Sequence, residues 1–392
     1  MKIGMVVHSY YPADVRVRRE CEALADRGDT VDLVCLGRPT EAPREQVGNV
    51  AVYRVPVQHR RGQSPIGYIL EYAAFFLHAF LLVTRLHVRH RYSVFQVHNM
   101  PDFLVFVTLV PKVLGTRVLL DMHDVTPELY QSLYGLPESS PIFAILVLVE
   151  QMSLAYADAV LTVNRKIRDL FLTRNPIARK IEVVMNAPDP RYFRAERSGA
   201  LTPSGAFRLF HHGQILRRYC FETALNGFAL ARARIPELEL DIYGDGEEGY
   251  IQELTEFVSR NGMEGCVRFH GRVPVDRIPE LIRRSHVGLV PCHKDVFVDK
   301  VMLPVRLLEY VVMGLPAVVS RVGTVEAYFK DDEVAYYRHD DPREMADRIV
   351  ELYAEPRRGE ELARRAKAAF KEYEWPRMRD RYYRVIDDLA RA

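Results

Sequence analysis

The sequence predicts an α/β protein made of two doubly wound parallel sheets in series. Three observations predict it. Short apolar runs alternate with helix-like stretches along the chain, the pattern of parallel strands joined by covering helices. A polar, small-residue stretch, RAERSGALTPSG at 194–205, interrupts the alternation once, and the alternation then restarts. The 392 residues, 48% of them hydrophobic, are enough for two buried cores rather than one.

Taken in order, KIGMVV (2–7) opens as a strand and VRVRRECEALADRG (15–28) follows as a helix. TVDLVCL (30–36), VAVYRVPV (50–57), SVFQVH (93–98), RVLLDMH (117–123), DAVLTV (158–163) and IEVVMN (181–186) continue the first sheet. The first domain thus covers 1–193 and the linker 194–205. The second sheet reads from FRLFHHG (207–213), LELDIYG (238–244), VRFHG (267–271), VGLVP (287–291), AVVS (317–320) and VAYYR (334–338), giving a domain over 206–370. EYEWPRMRDRYYRVIDDLARA closes the sequence as a helix within 371–392. Sheets of this kind bind ligands beyond the carboxyl ends of their strands, so two of them imply a site in the cleft between domains.

Charge and motifs exclude several functions. There are 54 basic and 52 acidic residues, a net charge of +2, without the basic excess of a nucleic-acid binder. Cys21, Cys35, Cys220, Cys266 and Cys292 lack CxxC spacing and read as reduced thiols in a cytoplasmic protein. Met1-Lys2 runs straight into a strand, so no signal peptide is expected. The first strand is followed by HSYYPADVRVRRE, without GxGxxG and without a phosphate-binding lysine loop, which lowers the oxidoreductase and NTPase readings. GYILEYAAFFLHAFLLVT (67–84) is apolar except for Glu71, His78 and Thr84, and Arg60, Arg61, Arg85, Arg89 and Arg91 flank it. It reads either as a helix packed within a soluble domain or as an interfacial helix that meets anionic lipid through 67–91.

Three segments carry polar groups where ligands bind. DMHDVTPELY (121–130) follows a buried strand and puts His123 and Asp124 at a carboxyl edge; alternatively Asp124 merely caps the next helix and His123 is a bystander. HHGQILRRYC (211–220) offers Gly213 for close backbone approach and Arg217 and Arg218 near a helix start, a combination suited to phosphate; a solvated basic turn is the alternative. YGDGEE (243–248) and FHGRVP (269–274) are similar glycine turns. LPVRLLEYVVMGLPAVVS (303–320) reads as a helix with Pro304 in its first turn, stopped by Gly314 and Pro316, then a buried strand. Its N-terminus would face the cleft, with Arg306 for a diphosphate and Glu309 for ribose hydroxyls. The alternative is an i,i+3 ion pair between Arg306 and Glu309. No aligned ligand set points to a metal.

Together these segments resemble the retaining nucleotide-sugar glycosyltransferases of glycosyltransferase family 4. LPVRLLEYVVMGLPAVVS is similar to the family's Pro-x-Lys-x-x-Glu-Tyr…Gly-x-Pro-Val-Val segment. YGDGEE and FHGRVPVDRIPELIRRSHVGLVP precede it in the family's order, and DVRVRRECEALADRGDTVDLVC and DMHDVTPE look like one branch of the family. The resemblance covers nearly the whole chain. It implies the GT-B fold, two Rossmann-like domains facing a central cleft, acceptor side first and donor side second, with the helix of Trp375 crossing back onto the first domain. It implies that Glu309 holds the ribose and that Arg218 and Arg306 bind the diphosphate. It also implies that Gly271, Arg272 and Val273 meet the base, Gly213 shapes the donor loop, and His123 lies beside the transferred sugar. Three departures stand out. Val301 replaces a frequent second glutamate, with Asp299 and Lys300 nearby. The Gly-Gly loop after the first strand is absent, leaving Arg16, Arg18 and Arg19 to reach the cleft. Tyr219-Cys220 replaces Lys-Gly, and Arg306 replaces a lysine.

The implied activity is a hexosyltransferase-like transfer from a nucleoside-diphosphate sugar to a glycan, lipid-linked or small-molecule acceptor, in cell-surface glycan, glycolipid or natural-product biosynthesis. No metal cofactor and no nucleic acid is expected, and the location is cytoplasmic or peripheral to the inner face of the membrane. The alternatives are a non-catalytic GT-B binding protein, which Val301 would suit, and a sugar-nucleotide epimerase on the same fold.

Overall fold

β1 (Lys2–Tyr10) lies inside an eight-stranded sheet of order β3-β4-β2-β1-β5-β6-β7-β8. The other strands are β2 (Thr30–Leu36), β3 (Arg44–Val47), β4 (Val50–Val55), β5 (Val94–His98), β6 (Arg117–Met122), β7 (Ala159–Thr162) and β8 (Ile181–Val183). Pairing is parallel throughout except at the β3–β4 edge. A second, wholly parallel sheet has the order β11-β10-β9-β12-β13-β14. Its strands are β9 (Phe207–His212), β10 (Leu238–Tyr243), β11 (Val267–Phe269), β12 (Val287–Val290), β13 (Ala317–Ser320) and β14 (Ala335–Tyr337). This computed structural model describes the chain except for residues 61, 63, 176–179 and 195–204. The stretch expected as a linker, 194–205, therefore falls almost wholly outside the described residues.

The chain divides into two compact units. Met1–Asn186 with Pro376–Ala392 form the first, and Ala187–Trp375 form the second. Central strands such as β5 and β12 are buried along their whole length, as in sheets covered on both faces. In the first unit strand order reverses between β1 and β5, and in the second between β9 and β12. Ligands bind such sheets at these switch points, beyond the carboxyl ends.

β3 is absent from the sequence expectation. Three of its four residues, Arg44, Glu45 and Gln46, are polar and exposed, so no apolar alternation announces it. It folds back onto β4 as an antiparallel hairpin through Gly48, whose φ of 59° suits glycine. A short charged edge strand of this kind also blocks further pairing.

The long apolar segment is one helix, Pro65–His90. Ser64 caps it by accepting from the Gly67 N–H at 3.2 Å, and Arg91 ends it in the left-handed region. Phe75, Ala79 and Val83 are fully buried, whereas Ile69, Leu70, Leu77 and Leu81 on the other side are 62–68% exposed. Packing within the domain therefore accounts for one face only. In length and composition Ile66–His90 could also cross a bilayer.

The helix Trp375–Arg391 contributes Met378, Tyr382, Ile386 and Leu389, all buried, to the first unit. The Tyr382 hydroxyl donates to Gln96 Oε1 at 2.5 Å and the Tyr383 hydroxyl to the Ala23 carbonyl at 2.6 Å.

Candidate functional site

The helix Val305–Met313 begins beside the β9/β12 switch point of the second unit. Pro304 is its N-cap, with extended backbone, rather than a first-turn residue as expected. Gly314 ends the helix at φ 72°, as the sequence predicts. Most of the helix is buried, and Arg306 and Glu309 both turn toward the end of β9. They do not pair with each other, so the expected alternative of an i,i+3 ion pair is not what forms. Arg306 Nη1 donates to His211 Nε2 at 3.0 Å, and its guanidinium stacks 4.1 Å above the Tyr219 ring. Glu309 Oε2 lies 2.9 Å from His212 Nε2, side by side rather than in hydrogen-bond alignment.

The protonation of this corner follows from its contacts. The Leu289 carbonyl, 3.1 Å from His211 Nδ1, requires a proton on that nitrogen. Nε2 is then the acceptor that Arg306 needs. Burial, reinforced by the Arg306 charge, holds His211 well below the usual imidazole range, so it stays neutral. Arg306 itself is 7% exposed and, among the described residues, has no carboxylate within ion-pair distance. A buried guanidinium without a counter-charge is costly unless an anion joins it. Its free edge faces Gly213: a Cβ there would lie 3.2 Å from Nη2 and 3.5 Å from Nε. Gly213, at φ 111°, has no side chain to crowd that edge of the guanidinium.

Three glycine turns line the same sheet edge. The Gly213 N–H donates to the Tyr243 carbonyl and the Gly244 N–H to the Gly271 carbonyl, at 2.9 and 2.8 Å. A Cβ on Gly244 would collide with the Gly213 carbonyl. Arg272 is exposed and 3.9 Å from Asp245, and Val273 beside it is half-buried. Arg218 occupies a short turn, Arg217–Tyr219, and covers the Phe297 ring at 5.1 Å. Arg217 is drawn away to Glu253, at 2.7 Å on the surface.

The residues near the missing glutamate have separate tasks. Asp299 accepts from the Gly323 N–H at 2.6 Å and fixes that loop, with Lys294 at 3.5 Å. Lys300 is exposed, and Val301 is buried at 2% exposure.

A second polar cluster forms in the first unit, beyond β5 and β6. Asp121 Oδ2 is 2.8 Å from His98 Nδ1 and 3.4 Å from Arg16 Nε. Burial alone would raise the Asp121 pKa, but Arg16 and His98 hold it well below the carboxylate range. His123 sits 3.9 Å from Asp121 and 3.5 Å from Asp124. Burial and the Arg16 charge push His123 down to about 4, so it is a neutral imidazole at pH 7. Asn99 orders the turn, accepting from the His123 and Asp124 N–H groups at 3.1 and 3.4 Å. Asp124 is not the helix cap: the N-cap is Val125, without a side-chain bond. Arg16 reaches this cluster, whereas Arg18 pairs with Glu22 and Arg19 bonds Asn186.

The sequence expectation names Arg306, Glu309, Gly213 and Arg218 in one unit and His123, Asp124 and Arg16 in the other; the fold gathers Arg306, Glu309 and Gly213 at the end of β9 and the second set beyond β6, while the Arg218 side chain lies over Phe297. It assigns no role to His211, His212, Tyr219, Asn99, His98 or Asp121. The paired histidines at the end of an apolar strand were the one visible signal.

Comparisons agree with this division. A "Glycosyl transferase 4-like domain" family model matches residues 13–187, and a "Glycosyl transferases group 1" model matches 206–355. D-inositol 3-phosphate glycosyltransferase of Arthrobacter sp. (strain FB24) is 25% identical over 191 residues. That match covers 48% of this chain and 44% of the relative, so the chain spans less than half the length of that relative. Sucrose-phosphate synthase from Thermosynechococcus elongatus superposes with a TM-score of 0.77 at 15% identity, over 99% of both chains. Anabaena HepE, solved with UDP-glucose, gives 0.71 at 15% identity over 100% of both. WaaG, a glycosyltransferase involved in lipopolysaccharide biosynthesis, gives 0.71 at 14% identity over 97% of this chain and 98% of its own. At these identities the likeness is one of fold.

Proposed function

The chain belongs to the family-4-type glycosyltransferases of GT-B fold, and from that premise we propose that it moves a sugar from a nucleoside-diphosphate sugar to an acceptor hydroxyl, retaining the anomeric configuration and needing no metal. One observation carries the proposal: Arg306 is a buried cation with no carboxylate partner among the described residues, and one edge of its guanidinium lies against Gly213. A diphosphate supplies the missing charge. The HepE structures with UDP and UDP-glucose make a uridine nucleotide the first candidate.

The leaving diphosphate gains negative charge as the bond to the anomeric carbon breaks. A guanidinium held by His211 and Tyr219 before reaction needs no reorganisation at that moment, which lowers the barrier. Arg218 adds a second cation on the same side of the sheet. Glu309, beside His212, takes the ribose hydroxyls. Neutral His123 fits a hydroxyl-binding role beside the transferred sugar better than that of a general acid. Retention by front-face attack asks for no protein nucleophile.

For the acceptor we propose a lipid-linked hydroxyl, with the first unit resting on an anionic bilayer. The exposed apolar side of Pro65–His90 is flanked by exposed Arg60, Arg85, Arg89 and Arg91, and its one acidic residue, Glu71, is buried. A second reading, a binding protein without transferase activity, is favoured by buried Val301.

A thermal-shift series with UDP, GDP, ADP, CDP and dTDP, with and without magnesium, tests the donor site. One diphosphate at about 100 times its Kd stabilises by about 2.7 kcal/mol, without magnesium, and Glu309→Ala abolishes the shift. No shift with any of the five rejects the donor site. A shift that needs magnesium rejects the metal-free mechanism. Binding without turnover of any sugar donor favours the second reading.

A further inference from the structure

We propose that the first unit holds one hydrocarbon chain of a lipid with an uncharged, hydroxylated head: the chain lies in an apolar groove beside Pro65–His90 and the head rests on His8, His59 and Glu71. The proposal deepens the lipid-acceptor reading above and rests on it.

The groove has a volume of about 380 Å³, within the range of small-molecule sites. Ile69, Ala73, Phe76 and Leu77 form one wall, at the spacing of a single helix face. Phe103 and Phe106, from the turn Asp102–Thr108, form the other. Every lining residue is apolar or aromatic, so nothing in it would satisfy a polar ligand. The groove is continuous with the exposed apolar side of the helix, where a chain emerging from a bilayer would enter.

Tyr72 also lines the groove and links it to a polar cluster. Its ring stands edge-on to His8 at 4.9 Å. Glu71 Oε1 is 2.8 Å from His59 Nδ1 and 3.1 Å from His8 Nε2. The His8 side chain is only 5% exposed, yet Nε2 is off the hydrogen-bond line and has no such partner among the described residues. A buried imidazole nitrogen left this way is set to meet a ligand. Burial keeps His8 neutral, at about 4, against the pull of Glu71. A neutral imidazole beside a buried carboxylate favours a hydroxyl and disfavours an anionic head. The cluster therefore selects a glycoside-like or glycerol-like head over a fatty acid or lipid phosphate.

The probe is n-decyl β-glucoside below its micelle-forming concentration, measured by equilibrium dialysis on the full chain. We expect saturable binding of one molecule, no binding of methyl glucoside, and at least tenfold weaker binding of decanoate. Ala73→Phe, at an exposed position, fills the groove and weakens binding at least tenfold, with circular dichroism and melting unchanged. His59→Ala narrows the preference for glucoside over decanoate. Leu81→Glu, on the exposed stripe outside the groove, removes binding to phosphatidylglycerol vesicles and leaves the glucoside affinity intact. Non-saturable uptake, wild-type affinity in Ala73→Phe, or tighter binding of decanoate each overturns the proposal. The nucleotide shifts are read separately, so glucoside binding without them would sink the transferase reading alone.

Discussion

Arg306 and His211 are 95 residues apart in sequence yet form one unit of the site. A lysine at 306 would keep the charge but lose the planar fork that bonds His211 and stacks on Tyr219. Arg306→Lys is therefore expected to lower kcat by about 10²-fold, the order found for losing one preorganised donor, with a smaller change in donor KM. Equal kcat in the two proteins, measured with saturating donor, would remove Arg306 from the leaving-group role. His211 makes a pH prediction. Its folded pKa lies below that of the unfolded chain, so the unfolded state binds more protons under mild acid. Its contribution is fully present above about pH 6.5 and is lost progressively as pH falls below that value. The midpoint of thermal unfolding should drop less steeply between pH 6.5 and 5 in His211→Gln than in the wild type. The contacts of Arg306 were not legible in the sequence, although the paired histidines stood out in it. Spacing shows what one helix can present, and it left an i,i+3 ion pair between Arg306 and Glu309 open as the alternative to their binding a ligand. Only the fold reveals that both side chains turn to β9 and find a histidine each.

Elements were more legible than contacts, because burial in a parallel sheet writes itself as a run of apolar residues. β1, β2, β9 and β13 all follow from such runs, and Gly314 marks its helix end at φ 72°. β3 does not, since an exposed charged edge carries no burial signal. The helix Pro65–His90 was legible as a helix, while the direction of its apolar sides was not: Phe75 and Leu77 are equally apolar, and one is buried and the other exposed. Among the glycine turns, Gly244 combines a φ of 156° with a backbone collision for any Cβ. Gly244→Ala is expected to destabilise the protein by about 2–4 kcal/mol through the strained turn and displaced Gly213. Denaturant unfolding measures this, and a loss under 0.5 kcal/mol would mean the turn relaxes freely.

At the scale of the molecule, the first unit is completed by a helix distant in sequence. Met378, Tyr382 and Ile386 are fully buried there, each contributing about 1.5–3 kcal/mol of burial. Their sum is of the same order as the stability of a whole domain, about 5–15 kcal/mol. Ile386→Asp places an unpaired charge in that interface and should unfold the first unit near ambient temperature. Limited proteolysis would then cut within 1–186 and spare 187–375, whereas wild-type resistance throughout would show that the helix is dispensable. Two units were legible from the alternation that stops and restarts, although the division falls between Asn186 and Ala187 and not at the polar break of 194–205. The amphipathic pattern of this last helix says that it packs and not on what; its place on the first unit was implied by the family resemblance alone.

The interleaved connectivity also sets an order of events on the ribosome. Residues 187–375 form an uninterrupted unit, whereas the first unit waits for 376–392 although its other residues emerge first. At about 5–20 residues per second, the sheet of the first unit spends on the order of ten seconds or more without its closing helix. During that interval Gln96 lacks Tyr382 and the surface that will receive Met378 and Ile386 is open to water. The half of the protein made first is thus the half finished last, and the interval before closure is when holdase chaperones have most to bind.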